Sequence, residues 1–236
     1  MFSRYSHSVG TKNKRELVLL KGKPCAWGKC KFCDYIHDNS TSEEECYAIN
    51  SKVLDEVTGE HGALEVINSA SVFELDARTL AKIRDVVRAK NITLLYFECY
   101  YAYRKRLDEI RDYFGVPIIF KCGIETFDDD FRNNVLGKGI HFSSPMEVAS
   151  YFDSICLMVG IKGQTKEMIA RDIDILTRYF RYGAVNVYCN NSTPIKADHE
   201  MAKWFDDTYG DMLREADGID YLYDNTDFGV GEICNE

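Results

Sequence analysis

Residues 23–37 read KPCAWGKCKFCDYIH, Lys23 to His37, and place Cys25, Cys30, Cys33 and His37 within reach of a single loop. Two kinds of centre suit such a set. The three thiols and the imidazole have the spacing of a closed tetrahedral Cys₃His zinc site. Alternatively, the three thiolates hold three irons of a [4Fe–4S] cluster and leave the fourth iron open to a small ligand. Three unrelated thiols are the remaining reading, and their clustering argues against it. What surrounds the loop has to decide.

Working outward, short apolar runs rich in β-branched and aromatic residues alternate with longer amphipathic segments. The strands are expected at 16–21 (ELVLLK), 63–68 (ALEVIN), 92–98 (ITLLYFE), 116–122 (VPIIFKC), 154–160 (SICLMVG) and 184–189 (AVNVYC). Helices are expected near 42–58, 76–90, 103–114, 127–136, 165–181 and 197–216. Near-continuous apolar strands at this spacing predict βα units and a parallel sheet covered on both faces. Six units are too few for an eight-stranded barrel and enough for an open, partial (β/α)6 TIM-like barrel; a doubly wound sheet is the rival.

In such folds the working residues gather at the strand exits. The first exit is the cysteine loop, the second Asn68-Ser69, the third Glu98 with Tyr100 and Tyr101, the fourth Glu125, the fifth Gly160 to Thr165 and the sixth Asn190-Asn191. The strand entrances carry no comparable polar set on this reading. A structural zinc knuckle has no need of six converging polar ends.

The bulk composition fits a soluble α/β protein. The chain has 236 residues, 45% hydrophobic and 28% charged, enough for one domain over 1–236 with a sizeable core. Nine cysteines are too scattered for a disulfide scaffold, and most of those outside the loop, Cys99, Cys122, Cys156 and Cys189 among them, read as reduced core thiols of a cytoplasmic protein. No apolar run resembles a signal peptide or a membrane span. A net charge of −9 without a basic block disfavours tRNA and favours a small, cationic substrate.

Together the motifs resemble the radical SAM superfamily. Cys30-Lys31-Phe32-Cys33 has the family's second gap and its aromatic before the last cysteine, while Cys25 to Cys30 is one residue longer than usual. FKCGIETFDDDFRNNVLGKGI is similar to the family stretch in which a glutamate, an arginine and a Lys-Gly follow strand four, here Glu125, Arg132, Lys138 and Gly139. MVGIKGQTKE is similar to the family's fifth-strand ending, with Lys162 and Gln164 as departures. The match covers 16 to about 195, leaving 196–236 as a C-terminal helix and tail.

The resemblance implies a [4Fe–4S] cluster on Cys25, Cys30 and Cys33, S-adenosylmethionine (SAM), and a 5′-deoxyadenosyl radical. It also implies an external electron donor such as flavodoxin or ferredoxin. Phe32, Asn68, Ser69, Glu125, Arg132, Ile161 and Asn190 are the implied SAM contacts; Asn68-Ser69 stands where the family has Gly-Gly-Glu. Glu125 before Thr126-x-x-Asp129 also suits a plain helix start. No catalytic side chain is assigned. The tail YLYDNTDFGVGE is read either as core packing or as a lid. In the lid reading Asp224, Asn225, Asp227 and Phe228, with Tyr100 and Tyr101, face a flat ring bearing an amine. Within the superfamily the chain looks most like small bacterial lyases that salvage a base from a modified nucleoside. A radical SAM enzyme modifying tRNA or another aminated metabolite, and a zinc-stabilised binding module, are the alternatives.

Overall fold

The computed structural model describes residues 3–10, 12–224 and 227–230. Among these, eight strands follow one another in the sheet in chain order, β1 to β8. The chain divides into two compact units, one from the described residues of 1–28, 35–120 and 226–232, the other from those of 29–34, 121–225 and 233–236.

In the first unit β2 (Arg15–Leu20), β3 (Ala63–Asn68) and β4 (Leu94–Glu98) pair in parallel. Every residue of β2 and β3 is buried, the expected state of a parallel sheet covered on both faces. The helices α1 (Glu43–Asp55), α2 (Ala77–Ala89) and α3 (Leu107–Phe114) belong to this unit. Ser42 and Asp76 cap the first two by accepting backbone N–H bonds, and Gly115 ends the third in a left-handed conformation.

Sequence reading missed β1 (Tyr5–Val9), which pairs antiparallel with β2. Its YSHSV pattern is polar and only half-buried, so it lacks the apolar signature of its neighbours. The strand entrances also differ from expectation. Arg15 and Glu65, both fully enclosed, pair at 2.5 Å, with the guanidinium 4.8 Å above the Tyr96 ring. Glu16 accepts from Tyr5 Oη, Thr58 N and Gly59 N at 2.6–2.7 Å. Polar chemistry therefore occupies both ends of these strands, and Arg15, Glu16 and Glu65 at the entrances are paired within the protein.

The second unit holds most of β5 (Ile118–Glu125), with β6 (Ser154–Val159), β7 (Tyr182–Val187) and β8 (Ile219–Leu222). β8 pairs in parallel with β7, so the start of the presumed tail is a strand. The helix expected at 127–136 is reduced to a short turn with a π-type segment at Phe131–Val135. An unforeseen α4 (Pro145–Ala149) follows, with Ser144 as its cap and proline in its first turn. α5 (Lys166–Tyr179) is capped by Thr165. The last expected helix forms as α6 (His199–Phe205), a π-turn (Asp206–Gly210) and α7 (Asp211–Glu215).

Asp172 of α5 is 2% exposed and accepts the Phe127 N–H at 2.8 Å, tying the helix to the exit of β5. Burial raises its pKa from 3.8 to about 6, against the opposing hydrogen bonds from Thr126 and Phe127. The folded protein thus keeps this proton after the unfolded chain has released it. Asp172 should lower stability progressively as pH rises from about 4 to about 6, by roughly 2–3 kcal/mol in total. Asp172→Asn, which keeps an acceptor for Phe127, should remove that component, read as the difference between wild-type and variant unfolding free energies across this pH range.

Candidate active site at the strand exits

At the end of β5 the pairing with β6 shifts register between Gly123 and Glu125, and Glu125 adopts a left-handed φ of 67°. A bulge with such a residue re-aims its side chain at a cost of about 1 kcal/mol or more. The re-aimed carboxylate meets Lys138, whose Nζ donates to Glu125 Oε1 at 2.5 Å. Both groups are buried. A Cβ on Gly123 would lie 2.6 Å from Glu125 Oε1 and 2.9 Å from Lys138 Nζ, so this pair needs the glycine. Burial by itself would lower the Lys138 pKa; the Glu125 carboxylate, helped by Cys30, outweighs it and holds the ammonium firmly protonated.

Lys138 also lies 5.3 Å from the centroid of the Phe32 ring. Phe32 packs on the apolar cluster of Phe131, Leu136, Met158, Ile161, Tyr188 and Ala197. The loop around it is held by its backbone: Lys31 N donates to Leu136 O and Lys31 Nζ to Asn134 O, each at 2.8 Å. Asn191 Nδ2 donates to Phe32 O at 2.9 Å, and Ser192 Oγ to Asp34. Gly137, at φ 70°, lets its backbone come so close to Lys29 that a Cβ would stand 2.7 Å from Lys29 O. Cys30 and Cys33 are thus presented, half-buried, on a loop fastened from two strand exits.

Cys25 belongs to the first unit and is likewise half-buried. Beside it Lys23 N donates to Glu74 O, and Trp27 stacks on Tyr100 at 6.2 Å. Cys46, Cys99 and Cys122 are buried, and burial pushes the Cys99 thiol up to about 12, far from a ligating thiolate. Cys156 and Cys189 are half-buried rather than enclosed, a departure from the core-thiol reading. His37 is exposed in the short turn Tyr35–His37. Among the described residues, no three His, Cys, Asp or Glu side chains are gathered to hold one ion.

The exit of β3 is polar and buried. Asn68, Ser69 and Glu74 are 5–6% exposed. Tyr103 Oη donates to Glu74 Oε1 at 2.7 Å, and Asn68 Nδ2 donates to Ser71 O at 3.1 Å. Burial raises the Glu74 pKa, opposed by hydrogen bonds from Tyr103 and the Ala26 backbone.

Several expected site residues are placed otherwise. Arg132 is 1% exposed and spends its guanidinium on Ile140 O, Thr126 O and Asp129, over the Phe142 ring. It knits the β5 exit together instead of presenting a fork to a ligand carboxylate. Ile161 is fully enclosed in the apolar cluster, with its N–H on Gln164 Oε1, so its side chain is core and not an open wall. Tyr101 is buried, with Arg104 over its ring, whereas Tyr100 is half-buried on Trp27. Asn190 is exposed and its Oδ1 accepts the Ala197 N–H.

In the tail, Asp224 and Asp227 are exposed, and Asn225 lies outside the described residues. Phe228 packs on the cluster of Val9, Leu17, Leu19, Ile67 and Val230, which makes it an anchor. Sequence reasoning passed over Glu74, Tyr103 and Asn191's grip on Phe32. An acid inside the apolar SVFEL was a usable signal for Glu74; Asn191 was marked only as a strand exit, and neither its bond to Phe32 nor the role of Tyr103 had a signal, since these depend on partners distant along the chain.

No family model matches the chain, and no curated protein does. Among solved structures, a queuine lyase from Clostridium spiroforme bound to SAM and queuine is 53% identical, with a TM-score of 0.95, over 98% of this chain and 100% of that one. Streptococcus suis SuiB bound to S-adenosylmethionine matches over 87% of this chain and 46% of that one, at 16% identity and a TM-score of 0.52. The second likeness is one of fold. The fold is the partial barrel read from the strand rhythm.

The Glu125–Lys138 pair makes a direct test of the geometry. Glu125→Gln or Lys138→Met alone should cost about 3–5 kcal/mol, because each strands a buried charge. The double variant should recover most of that loss, as measured by a double-mutant cycle in anaerobic chemical denaturation.

Proposed function

This chain belongs to the queuine lyase family of radical SAM enzymes, and we propose that it releases queuine from queuosine or queuosine 5′-phosphate. The observation that carries this reading is 53% identity over the full length of a relative solved with SAM and queuine. Three half-buried cysteines suit a [4Fe–4S] cluster, in which each thiolate binds a different iron and the donors need not crowd one ion. Cys25, Cys30 and Cys33 would hold it. With SAM bound, the cluster supplies a 5′-deoxyadenosyl radical able to take hydrogen from an unactivated carbon of the ribose.

The chain's own residues orient and exclude. Asn191, Lys31 and Ser192 hold the loop bearing Cys30 and Cys33, and Lys138 of the Glu125–Lys138 pair lies over the Phe32 ring of that loop. Phe32, Asn68, Ser69, Glu125 and Asn190 remain the proposed cofactor contacts. Tyr100, Asp224 and Asp227 are proposed to face the substrate's amine, with Phe228 anchoring the tail as a lid that keeps solvent from the radical. Among the described residues no helix is long and apolar enough to cross a membrane. A small nucleoside as substrate and a flavodoxin or ferredoxin as electron donor complete the proposal; the net charge of −9 argues against tRNA.

Anaerobic incubation with SAM, reductant and a nucleoside panel, read by mass spectrometry, should yield queuine from queuosine or its 5′-phosphate. Formation of 5′-deoxyadenosine without queuine from either would remove the lyase assignment and leave the family intact. Cys25→Ala, Cys30→Ala and Cys33→Ala should each abolish iron and sulfide incorporation on reconstitution, while His37→Ala retains both.

For the lid, Asp224→Asn or Asp227→Asn should raise the ratio of 5′-deoxyadenosine to queuine with the melting temperature unchanged. A constant ratio would show that the acids serve only the surface. Truncation before Tyr221 is the poorer test, because it cuts through β8.

A further inference from the structure

Helices α5, α6 and α7 lie against one face of the second unit's strands. A Cβ on Gly183 of β7 would stand 2.5 Å from Leu176 of α5, the Phe205 ring of α6 lies 5.8 Å from that of Tyr221 of β8, and Arg214 of α7 covers the Tyr221 ring at 5.1 Å. Successive side chains of a strand point to opposite faces, so Ala184, Asn186 and Asp220 point away from these helices. The register carries this assignment across the sheet. Asp220 pairs with Ala184, Ala184 with Cys156 and Cys156 with Gly123, while Ser154 pairs with Lys121 one layer nearer the strand entrances.

This second face is closed in its lower layer and opens in the next. Lys121 and Ser154 are 2% exposed, whereas Gly123, Cys156 and Asp220 are half-buried, as is Asn186 two residues beyond Ala184. Parallel barrels fill such inward positions with bulky branched side chains. Here glycine, cysteine and alanine follow one another in register instead, which leaves a shallow floor three strands wide, about 10 Å across. At one end the Glu125–Lys138 pair stands over Gly123. At the other end lie the Asp220 carboxylate and, one strand over and two residues on, the Asn186 amide, whose side chain bonds to none of the described residues. Asp220 also interacts within the protein; a carboxylate offers about four acceptor sites, so such a contact leaves room for a ligand.

A floor of small residues admits a planar ring, and an acceptor-only carboxylate beside an amide suits a ring edge that carries adjacent N–H donors and a carbonyl. Queuine is a 7-deazaguanine. The pyrimidine edge of that ring presents an NH₂ and an N–H side by side, followed by a carbonyl oxygen. We propose that Cys156 and Ala184 seat the base of the substrate, with Asp220 accepting from its N–H and NH₂ groups and Asn186 donating to its carbonyl oxygen. This rests on the reading of the chain as a queuine-releasing enzyme and deepens it by assigning the base, which no residue has so far been given. A 7-deazaadenine edge has a ring acceptor where Asp220 needs a donor, so Asp220 and Asn186 select the guanine-type ring.

The test uses the reconstituted holoenzyme under anaerobic conditions, titrated by calorimetry with SAM, with queuine, and with 7-deazaguanine in competition against queuine. 7-Deazaguanine keeps the ring edge and lacks the substrate's amine. Asp220→Asn preserves shape and replaces one acceptor oxygen by a donor; it should weaken both bases about 10- to 100-fold, the range for losing a charged hydrogen bond, and leave SAM binding unchanged. Asn186→Ala removes an amide without a partner among the described residues, so it should keep the melting temperature while weakening both bases about 3- to 10-fold. That variant decides the matter if Asp220→Asn fails to fold. A loss of queuine affinity with 7-deazaguanine unaffected would move these residues to the amine and overturn the proposal. So would unchanged affinity for both bases in either variant, a loss that extends to SAM together with a fall in melting temperature, or a wild type that binds queuine and shows no competition by 7-deazaguanine. If the wild type binds SAM but neither binds queuine nor releases it from queuosine or its 5′-phosphate, the proposed function itself fails, and that failure is visible without any variant.

Discussion

A buried ammonium facing a buried carboxylate is tolerable only when each stays with the other, and the Glu125–Lys138 contact imposes this condition on a whole stretch of the second unit. To reach Lys138, Glu125 has to leave strand β5 through a bulge in a left-handed conformation. To admit both side chains, position 123 has to lack a Cβ. Lys138 sits between two glycines that themselves have positive φ, and the first of these allows the backbone of the cysteine loop to approach. The Phe32 ring then rests near the ammonium. A cost of several kcal/mol for breaking such a pair explains why these local irregularities persist together.

The first unit places its polar groups by a different rule at each end of the sheet. At the entrances Arg15, Glu16 and Glu65 are enclosed with donors and acceptors matched, an arrangement that resists change and offers nothing to a ligand. At the exit of β3, Asn68 Oδ1 and Ser69 Oγ are equally enclosed and have no hydrogen-bond partner, while Glu74 accepts from Tyr103 and the Ala26 backbone. Polar residues therefore occur at both ends of these strands.

Burial separates the thiols only in part. Cys25, Cys30 and Cys33, on loops whose backbone is tied down, are half-buried, as are Cys156 and Cys189 elsewhere, whereas enclosure keeps Cys99 protonated. The segment around Cys30 and Cys33 is fastened through main-chain carbonyls and amides.

By itself the sequence determined the six principal βα strands, the cysteine loop, the family and the lyase reading, because each depends on local pattern: apolar runs at βα spacing, ligand spacing within one loop, and motifs read in order along the chain. Strand β1 was lost because YSHSV has no apolar periodicity, and β8 because four half-buried residues carry too little signal to stand apart from a tail. Only the tertiary structure could decide that Arg132 turns inward to carbonyls, that Ile161 and Tyr101 are enclosed, and that Phe228 anchors on an apolar cluster. It alone could show that Tyr103 donates to Glu74. Side-chain direction and hydrogen-bond satisfaction are set by residues distant in the chain, as Asn191 is from Phe32, and no window of sequence contains both partners.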